Sequence, residues 1–180
     1  MYTIGIDPGL HGSVAVLDTT GAVRALCDTP TVVIRVQQGT RQVYDAPVLV
    51  ELLRPYAGLH VHVMIEEAQP MPGQGTRSTF TTGYGMGIWV GILATLVLPY
   101  TTVRPQVWKR ALRLSRDKEA SRLRAIQLFP GADLRRKKDH GRAEALLLAY
   151  YGCQQRVALT AGLWAFSMDS MWPIVSRSND

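Results

Sequence analysis

Hydrophobic and polar positions alternate through Tyr2–Asp7, and this β-rich run is broken by Pro8-Gly9 and Gly12. The alternation resumes over Ser13–Asp18, turns at Gly21 and continues over Val23–Cys27, which predicts a three-strand meander. Val32–Val43 reads either as further extended chain or as a loop. Ala46–Tyr56 has helical spacing at Leu49, Leu52, Leu53 and Tyr56, with Asp45 placed to cap it. Val61–Ile65 is a short buried strand ending at Glu66-Glu67. A Pro/Gly loop over Gln69–Thr76 leads into an uncharged, glycine-containing helix, followed by a strand at Tyr100–Val103. Pro105 opens a helix to about Leu114, and Asp117–Leu128 is another, with an apolar face at Leu123, Ile126 and Leu128. Residues 130–141 form a basic loop, and Arg142–Val157 is a final helix with Ala143, Leu146, Leu147 and Tyr150 facing inward. Strand–helix alternation after a meander predicts an α/β fold, a mixed sheet with helices on both faces.

Composition narrows this picture. The chain has 180 residues, 47% apolar and 19% charged, which excludes a disordered, collagenous or disulfide-scaffold protein. The length suits one domain, expected over residues 1–157, with an aromatic-containing tail over 158–180. Cys27 and Cys153 stand apart in no zinc or CxxC pattern and read as thiols of a reducing compartment. From Ser78 to Val103 no residue is charged, but the glycines and threonines there favour a buried helix over a membrane span. With no signal peptide at the N-terminus, the expected location is the cytoplasm of a bacterial or phage-infected cell, and no membrane partner is expected.

Charge is unevenly placed. The net charge is +6, yet residues 104–138 hold twelve Lys or Arg against Asp117, Glu119 and Asp133, so that segment is +9 and the rest −3. A solvated helix would interleave signs; this segment barely does, and its partner is expected to be a nucleic acid.

The remaining chain is free to hold acidic chemistry. Asp7 ends the first strand, Glu66 or Glu67 ends the fourth, and Asp139, His140 and Glu144 bracket the start of the last helix. Each has a plain structural explanation: a turn residue, a solvated strand end, an exposed helix position, a loop histidine. Together, at neighbouring ends of core elements, they read as a carboxylate cluster that a hard divalent cation would neutralise. Two such ions about 3.5–4 Å apart would activate water and stabilise the leaving oxygen in phosphodiester hydrolysis.

Three motifs, in order, make this specific: Gly5-Ile6-Asp7-Pro8-Gly9, Ile65-Glu66, and Asp139-His140-Gly141-Arg142-Ala143-Glu144-Ala145-Leu146. They resemble the RuvC-like Holliday junction resolvases, particularly the phage and organellar branch, and the element order is similar to their RNase H-like fold with a mixed five-stranded sheet. The resemblance covers about residues 1–157. It implies a homodimeric endodeoxyribonuclease that cuts opposed strands of a four-way DNA junction with Mg²⁺ or Mn²⁺, two ions per site. Asp7, Glu66 and Glu144 match family ligands. The remaining bacterial ligand falls on Gly141 here, so its role falls to Asp139 or His140, with Asp139 favoured and His140 assisting, and Glu67 in reserve.

On this reading Lys109, Arg110, Arg113, Lys118 and Arg135, Arg136, Lys137 and Lys138 track phosphates, and one of these cations also stabilises charge on the reacting phosphate. Arg77 and Phe80 are placed to enter an opened junction centre, unless their segment is only a surface loop. The uncharged helix is a dimer interface with Trp89 and Ile92 as anchors, or packs on the sheet. The aromatic part of the tail, with Trp164, Phe166 and Trp172, is expected to pack on the domain. Other branched substrates (flaps, forks, RNA–DNA hybrids) and a non-catalytic junction binder remain open. A two-lobed actin-like or sugar-kinase ATPase is excluded, because 180 residues with one Asp-Pro-Gly turn hold only half of that fold.

Overall fold

A computed structural model describes residues 1–37, 39–69, 73–115 and 117–166, with side chains as far as residue 156 and Lys118 by its backbone only. The meander forms as read: β1 (Tyr2–Asp7) pairs antiparallel with β2 (Ser13–Asp18), and β2 with β3 (Val23–Asp28). β6 (Val61–Glu66) adds parallel to the other side of β1, and β7 (Tyr100–Val103) parallel to β6. The sheet order is therefore β3-β2-β1-β6-β7, a mixed five-stranded sheet with β1 at its centre.

Helices cover both faces because β1, β2 and β6 are apolar on both faces. Ile4, Ile6, Val14, Val16, Val63 and Ile65 meet α1 (Ala46–Leu53) and α2 (Thr76–Thr95) through Leu49, Leu53, Trp89 and Leu93. The opposite face carries α5 (His140–Phe166), packed beside α3 (Pro105–Ala111) and α4 (Lys118–Leu128) through Trp108, Ala125, Leu146 and Leu147. Each large side chain fully buried this way stabilises the fold by roughly 2–3 kcal/mol. α5 lies directly on β1, because a Cβ on Gly5 would stand 2.0 Å from the Ala145 carbonyl oxygen and 2.6 Å from Ala149 N.

Several expectations change. Residues 31–44 form a separate antiparallel hairpin, β4 (Thr31–Val36) with β5 (Gly39–Tyr44), whose Val32, Val33, Ile34 and Val36 are exposed. The outward face of α4 includes Leu123, which is 51% exposed, while Ser121 and Ala125 are buried because small residues let α4 approach α5. α5 starts at His140, before the expected Arg142, and runs past Val157 to Phe166. The expected packing of the aromatic tail falls outside the described side chains. Trp89 and Ile92 are buried in this chain's own core against the sheet, which removes them as dimer anchors. Among the described residues no helix is long and apolar enough to cross a membrane.

Candidate active site

Strand alternation aims the acids. In β1, Gly5 faces α5, so Asp7, two residues on, faces the same side. In β6, Met64 lies where a Cβ on Gly152 of α5 would stand 2.5 Å from it, so Glu66 also faces α5. The parallel pairing of Ile6 with Ile65 sets Asp7 and Glu66 on adjacent strand ends, and α5 brings Glu144 across them. Burial raises the pKa of Glu66, and the negative charges of Glu144 and Asp7 raise it further, to about 7. Glu67 points the other way and pairs with Arg104 at 3.2 Å.

Neighbouring groups hold these acids in place. The Trp108 indole N–H, fully buried, donates to Glu66 at 2.8 Å. Lys109 Nζ lies 2.5 Å from Glu144 Oε1, with the two side chains only 15% and 11% exposed. Asp7 accepts a hydrogen bond from Gly9 N–H at 3.3 Å, and Gly12 N–H donates to the Gly9 carbonyl at 2.9 Å, closing the turn. The Tyr44 hydroxyl, from the hairpin base, donates to the Pro8 carbonyl at 2.8 Å. Burial and the Asp7 charge push the Tyr44 pKa up to about 12, so it remains a donor at any physiological pH. α2 reaches this phenol through Gly85, where a Cβ would lie 2.1 Å from its oxygen.

At the α5 N-terminus a glycine stands where the resemblance implies a ligand. Gly141 packs on the Asp-Pro-Gly turn so closely that a Cβ would stand 2.8 Å from the His11 carbonyl and 3.2 Å from Asp7 Oδ2. Asp139, expected as the replacement, is fully buried with both oxygens taken by Arg136, from its N–H at 2.7 Å and its Nε at 2.6 Å. His140 has a buried Nδ1 without a hydrogen-bond partner among the described residues. Asp7, Glu66 and Glu144 are thus brought together and Asp139 is held on Arg136. Three carboxylates are oxygen donors suited to Mg²⁺ or Mn²⁺, and their mutual repulsion at Glu66 fits a site completed by cations. As they stand, no three His, Cys, Asp or Glu side chains among the described residues approach closely enough to enclose an ion.

The basic residues divide in two. Arg77, Arg110, Arg113, Lys137 and Lys138 are exposed, as is Arg135, which pairs with the exposed Asp133. Arg136 is instead tied to Asp28 and Asp139, and Lys109 to Glu144, so neither is a free surface cation. Lys118 begins α4, its side chain outside the described residues. Phe80 is 68% exposed and stacks on Tyr84 with ring centroids 6.2 Å apart. Sequence reasoning missed Trp108 and Tyr44 as supports of the acids. The only trace of Trp108 was its position beside a predicted DNA-binding lysine, and Tyr44 closed a segment with no clear period.

No protein-family model matches the chain. Over 89 residues, 47% of this chain, it is 37% identical to the chloroplastic Holliday junction resolvase MOC1 of Chlamydomonas reinhardtii, a match that spans 10% of that relative. Among solved structures it is similar to Thermus thermophilus RuvC in complex with a Holliday junction substrate, with a TM-score of 0.59, 18% identity, and coverage of 88% of this chain and 96% of that one. A second Thermus thermophilus RuvC structure superposes with a TM-score of 0.56 at 17% identity, covering 88% and 97%. The fold is the RuvC form of the RNase H-like fold, and the likeness to RuvC-like resolvases read from the three motifs is borne out.

Proposed function

We propose that this chain, with its RuvC-like fold and resolvase motifs, is a divalent-metal-dependent endonuclease that resolves four-way DNA junctions by nicking two opposed strands. The observation that carries this reading is the convergence of Asp7, Glu66 and Glu144 from two strand ends and one helix, with Glu66 raised by burial and further by the charges of the other two. Asp7, Glu66 and Glu144 would hold the Mg²⁺ or Mn²⁺ ions, two per site. When bound, these ions supply an activated water and neutralise charge on the scissile phosphate.

The chain's own residues do the rest. Trp108 fixes the Glu66 carboxylate, and Tyr44 fixes the turn that carries Asp7. The exposed Arg110, Arg113, Lys137 and Lys138 hold phosphates, which positions DNA without reading its sequence. Phe80 and Tyr84 offer an exposed aromatic platform on which an unpaired base at the junction centre stacks, with Arg77 beside it. A junction has near two-fold symmetry, so a C2 homodimer presents one site to each opposed strand. The outer face of α2 suits its interface, since a Cβ at Gly83, Gly87 or Gly91 would meet nothing within 4 Å and leaves a second backbone room to approach.

The test is a synthetic immobile four-way junction, each strand labelled in turn, incubated with Mg²⁺, Mn²⁺ or EDTA beside duplex, flap and RNA–DNA hybrid controls. Paired symmetric nicks lost with EDTA are expected. Metal-dependent cutting spread over flaps or hybrids would keep the nuclease and remove the resolvase. Tight binding without cutting in either metal would leave a junction-binding protein.

A further inference from the structure

Lys109 differs from its nearest neighbours in the basic segment. Its neighbours Arg110 and Arg113 are exposed, whereas Lys109 is largely buried and its ammonium lies 2.5 Å from Glu144 Oε1. The placement follows from α3: Trp108 is fully buried with its indole on Glu66, and the next residue is carried over the same acids, Nζ lying 5.2 Å from the Trp108 ring centroid. Without Lys109, Glu144 would stand desolvated beside Glu66 and Asp7 with no positive charge at hydrogen-bonding distance among the described residues, a costly arrangement. The lysine therefore lets the acid cluster fold with a cation already inside it.

That cation sits on a carboxylate the proposed metal site needs. An ammonium and a divalent ion held by the same Glu144 carboxylate repel, and among the described residues no three acids or histidines enclose an ion while Glu144 is turned to Lys109. Lysine can yield: it is a point charge on a flexible four-carbon stem, where a guanidinium would be held by its fork. We propose that Lys109 is a resident counterion that competes with the divalent metal for Glu144, and that it leaves Glu144 when metal enters and turns to the DNA phosphate. This inference rests on the metal-dependent reading above. It makes metal and DNA mutually reinforcing ligands, since a phosphate that draws Lys109 away frees Glu144, and metal that takes Glu144 frees Lys109.

The test uses the full chain without DNA. Mn²⁺ binding by calorimetry is compared for the wild type, Lys109→Met and Lys109→Arg, with thermal melts of each in EDTA and in Mn²⁺. Lys109→Met is expected to bind Mn²⁺ at least about tenfold more tightly than the wild type and to melt lower in EDTA, with Mn²⁺ recovering the loss. Lys109→Arg, which keeps the charge, is expected not to bind more tightly than the wild type. Because Lys109→Met could fail to fold, the wild type is also titrated with Mg²⁺ while the Lys109 ammonium signal is followed by NMR. Its protected resonance is expected to be lost in step with Mg²⁺ saturation. Equal or weaker Mn²⁺ binding by Lys109→Met, or an ammonium signal unchanged at saturating Mg²⁺, would overturn the Lys109 assignment alone. Absence of Mn²⁺ binding by every form would overturn the metal-dependent reading, and this inference with it.

Discussion

Two groups of acids meet residues of the first turns of α5, and they are built in opposite ways. Asp28 and Asp133 are met by arginines: Arg142 and Arg136 reach Asp28, and Arg135 and Arg142 reach Asp133. Burial pulls the Asp28 pKa upward, but the Arg142 and Arg136 guanidinium groups outweigh it and hold the carboxyl below its usual range. Arg135 does the same for Asp133. Glu66, by contrast, is driven up by burial and by its acidic neighbours, with the Trp108 N–H and the Lys109 charge offsetting only part of this. A fold that meets one set of carboxylates with arginines and keeps another close enough to repel at Glu66 retains that repulsion for a reason outside folding, and the second set is where chemistry belongs.

The sharpest way to break the comparison is to neutralise one acid from each group. Asp7→Asn and Glu144→Gln are expected to lower junction cleavage by at least about 10²–10³-fold while binding survives. Asp28→Asn, in an exposed ion pair, is expected to leave cleavage within a few-fold and to cost about 1 kcal/mol or less of stability. Single-turnover cleavage and gel-shift titration on the same junction check both. A cleavage loss at Asp28 matching that at Asp7 would erase the distinction.

The same contrast appears in stability without metal. In the unfolded chain Glu66 ionises near its ordinary 4.5, whereas in the folded protein it keeps its proton to about 7. Between those values the native state binds the extra proton, so its stability falls as pH rises through the window and levels off above it. The change is on the order of 3 kcal/mol. Asp28 runs the other way: its native pKa is depressed, so its stabilisation is present above its unfolded pKa and fades as pH falls through the folded one. Denaturant melts in EDTA from pH 4.5 to 8 are expected to show the decline, and Glu66→Gln to flatten it. A Glu66→Gln profile parallel to the wild type would place the raised pKa elsewhere.

Much of this division was legible in the chain and part was not, for identifiable reasons. Asp7 and Glu66 stood out because a charged residue ending an alternating apolar run must lie at a sheet end, and the Asp-Pro-Gly turn fixes where the run stops. Glu144 was legible only as part of a motif. The hairpin of residues 31–44 could not be told from a loop, because both its faces are solvated and it carries no clean alternation. Leu123 was assigned inward because size is a poor guide where two helices approach closely, and Ser121 and Ala125 took that face. Arg136 looked like another member of a basic run; its partner Asp28 lies 108 residues earlier, beyond any local pattern. Trp89 and Ile92 were offered as interface anchors, yet with Gly85 and Leu93 they form the stripe that faces the sheet.

The supports of the acids offer a smaller, more discriminating test. Trp108→Phe keeps most of the buried ring and removes the indole N–H that donates to Glu66. Its expected effect is a 10–100-fold loss, of the order of 10–100-fold for an outer-shell partner of a metal ligand, read in Mn²⁺ affinity as well as cleavage. A loss of stability without a change in Mn²⁺ affinity would make Trp108 a core residue only.

The smallest expected effects separate the free cations from the engaged ones. Arg110→Ala and Lys138→Ala should each weaken junction binding and lower the slope of log affinity against log salt by about 1, because each removes one phosphate contact. Arg136→Ala should leave that slope unchanged and lower the melting temperature instead, because its guanidinium is already engaged by Asp28 and Asp139. The physical content lies in the partner: a cation already neutralised by carboxylates of its own chain has no counterion to release when DNA arrives. Equal salt slopes for all three variants would mean that Arg136 abandons its acids on binding, and the α5 N-terminus would then rearrange rather than dock as it stands.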